Sequence, residues 1–209
     1  MGVISVETLD AGSFQAAVEH LCKNDPVLAG VVKSYGAPYL LDRPQGFSTL
    51  VYTILEQQVS LASAKATFAK LNKRLPGLTP ESLLSLSDSE MLKIGFSRQK
   101  ARYSRLLAQE ISDGSLGLET LDSKSDDEVF STLTALTGIG PWTANLYLLS
   151  ALKRPNVWPS GDLALQVAAQ ELFDLDERPQ NDEFRSFGDR WRPYRAVAAR
   201  ILWQYYLSR

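Results

Sequence analysis

Apolar residues recur at helical spacings of three and four from residue 13 onward, and β-branched residues almost nowhere alternate with polar ones over a strand's length. Such spacing gathers side chains on one face only if the segment is helical, so the chain is predicted to be all-α. Helices are expected near 13–22, 25–35, 47–58, 61–74, 80–85, 88–93, 98–112, 126–136, 141–152, 163–173, 181–187 and 193–207. The breaks between them are short and carry turn residues, as in Gly36-Ala37-Pro38, Leu75-Pro76-Gly77, Asp113-Gly114-Ser115 and Arg154-Pro155-Asn156. No internal repeat, low-complexity tract or long linker interrupts the pattern. With 209 residues, 44% of them apolar, the chain can bury a full core. No run of about eighteen apolar residues occurs, so no membrane span is expected.

Charge and cysteine content narrow the function classes. The formal net charge of −2 exerts no global attraction on nucleic acid, so any such binding has to come from local patches and backbone geometry. The single cysteine, Cys22, cannot form an internal disulfide or a thiolate-bound metal cluster. The start MGVISVETLDAG lacks the cationic and apolar regions of a secretory signal, which leads to the expectation of a cytosolic, reduced setting. The acidic stretch Asp122 to Glu128 is read as a helix start, with Ser125 as the cap and carboxylates at the positive end of the helix dipole.

The segment Leu136-Thr137-Gly138-Ile139-Gly140-Pro141-Trp142-Thr143-Ala144-Asn145 is the sharpest break. Glycine inside a helix costs roughly 1 kcal/mol relative to alanine, so Gly138 and Gly140 mark a reversal between two helices. Pro141 suits the first turn of the second helix, where its missing N–H is not needed. Without side chains in the way, the amides of this turn and of the helix start can approach a phosphate, and the helix dipole favours it. Taken alone, the glycines are more simply an ordinary helix–helix corner, since Gly-x-Gly between helices is common.

LTGIGPWTAN resembles the helix-hairpin-helix of the DNA glycosylase superfamily, whose Gly/Pro-rich loop is followed by a catalytic aspartate. The loop Val157-Trp158-Pro159-Ser160-Gly161-Asp162 matches that element, and Ile54 to Ala64, Gly95 to Ala101 and Trp191 to Trp203 are similar to further segments of the 3-methyladenine DNA glycosylase II branch. The resemblance covers about residues 45–205 and implies a two-lobed helical fold without an iron–sulfur cluster, since one cysteine cannot supply the ligands. It further implies one catalytic unit over 1–209, with the hairpin at 126–152, the Gly/Pro loop at 155–163 and an active cleft between the lobes. The amino-terminal β domain of larger bacterial members has no room here, and residues 1–45 read as short helices closing the unit.

Site residues follow from the same resemblance. Asp162 maps to the catalytic position; taken alone it reads as an N-cap before Leu163, Ala164 and Leu165. Its task would be to oppose positive charge growing on the deoxyribose as the N-glycosidic bond breaks, and to orient water. Trp142 occupies the place of the lysine that forms a Schiff base in strand-cutting members such as endonuclease III, so the implied activity is hydrolysis without strand cleavage. Lys153 and Arg154, at the far end of that helix, read as structural. Trp203, Trp142 and Tyr39 map to the base pocket, and Gln58 or Gln57 to the plug filling the gap left by a flipped nucleotide. Thr137, Gly138, Ile139, Gly140, Trp142 and Thr143 map to the DNA backbone site.

A purine alkylated at N3 or N7 is a cation, and cations stack well on indole faces. The implied partner is therefore double-stranded DNA carrying alkylated bases, bound by a monomer at a nucleoid or in a nucleus, with no membrane. No metal ligand set is expected and no cofactor, save a monovalent cation at the hairpin carbonyls as in relatives. The run Arg98, Lys100, Arg102 and Arg105 reads as a solvated face, whereas Arg192, Arg195 and Arg200 flank the pocket helix and have the better claim to DNA. His20 and Cys22 lie outside the matched region. Two alternatives stay open: a helix-hairpin-helix module that binds DNA without reaction, and a glycosylase for uracil or an oxidised purine.

Overall fold

A computed structural model describes residues 8–209. Part of the stretch read for a secretory signal, residues 1–7, lies outside the described residues. Every regular element among the described residues is helical, and none is long and apolar enough to cross a membrane. These residues fall into two compact units, one of residues 43–147 and one of 8–42 with 148–209.

In the first unit, α3 (Phe47–Glu56) presents Leu50, Val51, Ile54 and Leu55 to the core. It packs on α4 (Leu61–Arg74) and on α7 (Arg98–Ser112), which also covers α5 (Pro80–Leu84) and α6 (Asp88–Ile94). Leu71, Leu83, Met91, Leu107 and Leu121 are buried with them. Local capping fixes where these helices start. Thr79 and Ser87 form capping boxes with Ser82 and Glu90, and Ser97 caps α7. The backbone N–H of Ser87, then the Arg74 guanidinium, hold the Glu90 carboxyl at about 2. α8 (Asp126–Thr134) starts at Ser125 in a capping box with Glu128, as its acidic first turn predicts. Glu56, almost fully buried at the end of α3, is held by both terminal nitrogens of Arg43, at 2.8 and 2.7 Å.

The second unit is built around α12 (Arg195–Ser208), whose residues Ala196 to Leu202 are all buried. Its alanines let α1 (Ala11–Asn24), α2 (Pro26–Tyr35) and α10 (Leu163–Leu172) approach closely. Beside it, Trp158, Phe173, Trp191 and two residues of α11 (Asn181–Phe187), Phe184 and Phe187, form an aromatic cluster with ring centroids 5.0 to 5.8 Å apart. Both buried indoles keep a partner: Trp158 Nε1 donates to the Phe184 carbonyl and Trp191 Nε1 to the Asp25 carboxylate. Gly188 lies against the Trp158 ring, where an added Cβ would sit 2.7 Å from it. Gly188→Ala is therefore expected to lower stability by about 2 kcal/mol through overpacking. A urea titration checks it, and an unchanged midpoint would mean that the indole shifts without cost.

The helix ends lie within two residues of the predicted ones, and the spans 61–74, 98–112 and 181–187 coincide. Two short 3₁₀ turns, Leu118–Ser123 and Gly188–Trp191, have no counterpart in the periodicity because they are too short to show one. α3 stops at Glu56 and not at residue 58, and that early stop sets up the loop described next.

Candidate active site

The hairpin belongs to the first unit. After α8 the chain turns through Ala135 to Gly140 and enters α9 (Pro141–Ser150), with Pro141 at its first position. Gly138 has φ +92, and a Cβ there would lie 2.2 Å from the Tyr103 ring, so both backbone and packing demand glycine. Gly140 differs: it is exposed, lacks a positive φ, and a Cβ on it would meet nothing within 4 Å.

The hairpin residues divide by burial. Thr137 and Gly140 are exposed, and Gly138 and Trp142 are partly so. Ile139 and Thr143 are buried at 3% and 1% exposure. The Thr143 hydroxyl accepts a hydrogen bond from Gln57 Nε2 at 3.0 Å, and the same nitrogen donates to the Gly138 carbonyl at 2.9 Å.

Between α3 and α4 run Gln57, Gln58, Val59 and Ser60. Gln57 is committed to the hairpin, while its neighbour Gln58 is exposed with φ +53, a conformation uncommon outside glycine. Lys100 braces the loop from α7 by donating to the Leu55 carbonyl at 2.7 Å, and burial pushes its ammonium below the usual lysine range.

The second unit carries the acid. Asp162 caps α10: its Oδ1 accepts from the Leu165 N–H at 2.9 Å and also from Trp203 Nε1 at 3.1 Å. Asp162 is 8% exposed. Its loop is pinned from several sides. Gln166 Nε2 donates to the Ser160 carbonyl, Arg195 to the Asn156 carbonyl, and the Ala196 N–H to the Pro155 carbonyl. The start of α12 thus holds the loop that carries Asp162, and two turns further on α12 supplies Trp203. Arg200, 9% exposed, donates from Nε and Nη2 to the Tyr39 carbonyl at 3.2 Å. Its guanidinium lies 5.1 Å from the Tyr39 ring centroid and 5.9 Å from that of Trp203. Asp162, Trp203, Arg200 and Tyr39 are one connected group, with the Tyr39 ring largely open to solvent.

Of the sequence-derived residues, Asp162, Trp203 and Tyr39 are brought together in the second unit, and Trp142, Gln57, Gln58 and the turn residues belong to the first. Among the basic residues near the pocket helix, Arg192 pairs with Asp189 while staying exposed, Arg195 binds Asn156 and Asp189, and Arg200 donates to the Tyr39 carbonyl beside the Trp203 ring. In the earlier run Lys100 and Arg105 bind main-chain carbonyls, and Arg98 and Arg102 are the exposed members. Tyr103 and the tethering role of Gln57 escaped the sequence reading, because packing across an unpaired turn leaves no periodic signal.

Comparison with known proteins places these features in a family. The profile of the HhH-GPD superfamily base excision DNA repair proteins matches residues 51–193. The Bacillus subtilis protein YfjP is 28% identical over 199 residues, 91% of this chain and 68% of that protein. The DNA-3-methyladenine glycosylase of Saccharomyces cerevisiae is 31% identical over 184 residues, 80% of this chain and 62% of that enzyme. Among solved structures, the Schizosaccharomyces pombe 3-methyladenine DNA glycosylase Mag1 in complex with abasic DNA superposes with a TM-score of 0.83 at 26% identity, covering 90% of this chain and 95% of the other.

Proposed function

The chain belongs to the HhH-GPD superfamily of base excision DNA repair proteins, and from that membership we propose that it is a DNA glycosylase of the 3-methyladenine II type, hydrolysing the N-glycosidic bond of alkylated bases without cutting the strand. The observation that carries the reading is the pairing of Asp162 with Trp203: a nearly buried carboxylate, fixed by an indole N–H on the wall of an aromatic group. An N-cap alone needs only the Leu165 amide.

The hairpin holds the backbone of double-stranded DNA through main-chain amides around Gly140 and the start of α9, which fixes position without reading sequence. The damaged nucleotide leaves the stack at a cost of a few kcal/mol, and Gln58 fills the space. Trp203 and Tyr39, joined through Arg200, receive the base. As the bond to the base stretches, positive charge grows on the deoxyribose; the Asp162 carboxylate opposes it and orients the attacking water. Trp142 offers no amine for a Schiff base, so the product is an abasic site in an uncut strand.

Duplex DNA with a single alkylated purine, end-labelled and incubated with the protein, separates hydrolysis from lyase chemistry. The strand is expected to stay whole until alkali is added, and borohydride is expected to trap no covalent complex. Trapped protein or cleavage before alkali would remove the strand-sparing part of the reading.

A further inference from the structure

Gln57 and Gln58 are adjacent and point their chemistry in different directions. The Gln57 amide nitrogen gives hydrogen bonds to the Gly138 carbonyl and the Thr143 hydroxyl, joining the turn of the hairpin to the first turn of α9. On its other side Gly138 is backed by the Tyr103 ring, and the Tyr103 hydroxyl accepts from Gln99 at 2.7 Å. Lys100 fixes the last turn of α3 through the Leu55 carbonyl. The loop is thereby held at the residue before Gln58 and at the end of the helix that leads to it. Gln58 itself stands exposed in a left-handed conformation.

We propose that Gln57 is a positioning residue that couples the hairpin's hold on the DNA backbone to the insertion of Gln58, so that gripping the strand and plugging the stack form one event. The inference rests on the reading that the hairpin binds backbone and that Gln58 fills the gap. A tether of two hydrogen bonds cannot move with one end only: a shift of the Gly138 carbonyl when phosphate seats is passed to Gln57, and through one peptide bond to Gln58. This makes Gln57 a contributor to base eversion that touches neither base nor phosphate.

The test is a double-mutant cycle on the full chain with Gln57→Leu, Gln58→Ala and both together. Two quantities are read: single-turnover release of an alkylated base from duplex DNA, and fluorescence of 2-aminopurine placed beside the lesion, which reports unstacking. Each single variant is expected to lose about tenfold in release, the scale of one or two hydrogen bonds. The double variant should lose little more than either single, with fluorescence falling in parallel. Urea midpoints show whether Gln57→Leu has only loosened the fold, an effect that would multiply with Gln58→Ala. Thr143→Val removes one of the two bonds from the other end; about threefold loss, again not multiplying with Gln58→Ala, supports the coupling if Gln57→Leu folds poorly. Losses that multiply, near a hundredfold in the double variant, or a Gln57→Leu protein as active as wild type, overturn the proposal and leave the glycosylase reading standing. A wild type that releases no base overturns both.

Discussion

Asp162→Asn is expected to slow base release by about a thousandfold while leaving the fold and the affinity for abasic DNA within a factor of about two. The magnitude is that of removing a preorganised charge or a general base from the reacting centre, roughly 10² to 10⁴ in rate. The small structural effect follows from what the side chain holds. Oδ1 accepts from the Leu165 N–H and from Trp203 Nε1, and an asparagine oxygen can accept both. Asparagine caps helices about as well as aspartate does. The variant therefore removes charge and keeps shape, which separates the two roles of this residue. Asp162→Ala would lose the cap as well, at about 1 kcal/mol of stability, and would confuse them. Undiminished release by Asp162→Asn, with DNA binding intact, would remove the carboxylate from the mechanism.

The two hairpin glycines should respond to alanine in opposite ways. At Gly138 an added Cβ lies 2.2 Å from the Tyr103 ring, on a backbone with φ +92. Overpacking and left-handed strain together should cost about 3 to 4 kcal/mol, seen as a large drop in the urea midpoint. At Gly140 the same methyl group meets nothing within 4 Å and the backbone is permissive, so stability should change by less than about 0.5 kcal/mol. DNA binding should nonetheless fall about tenfold in Gly140→Ala, because the methyl group occupies the space through which a phosphate reaches the amides. Wild-type affinity in Gly140→Ala would show that the strand does not approach there. Wild-type stability in Gly138→Ala would show that Tyr103 yields.

Helices were legible in this sequence because each carries its own stripe and its own punctuation. Ser125 announces a helix start that the structure confirms, and the alternation of glycine and proline after Leu136 announces the turn into α9. The N-cap role of Asp162 was legible as well from its setting before Leu163, and the same oxygen also receives the Trp203 indole. What could not be read were relations between residues far apart in sequence. Nothing in the spacing of Gln57 and Gly138 says that a side-chain amide ties one to the other. Nor does composition reveal that Arg200 is spent holding Tyr39 and Trp203 and not displayed to DNA. Tryptophans were ambiguous for the same reason: Trp158 lies in the loop of Asp162, yet its ring is core, packed on Gly188, Phe184 and Trp191.

Chromatography of the small molecules set free from methylated duplex DNA gives the plainest answer on this chain. The wild type should release 3-methyladenine, at a rate that rises with protein concentration, and leave the strand unbroken. DNA that is bound but yields no free base, from methylated, deaminated and oxidised duplexes alike, would contradict it: the hairpin would then serve binding alone, and Asp162 would be a helix cap and nothing more.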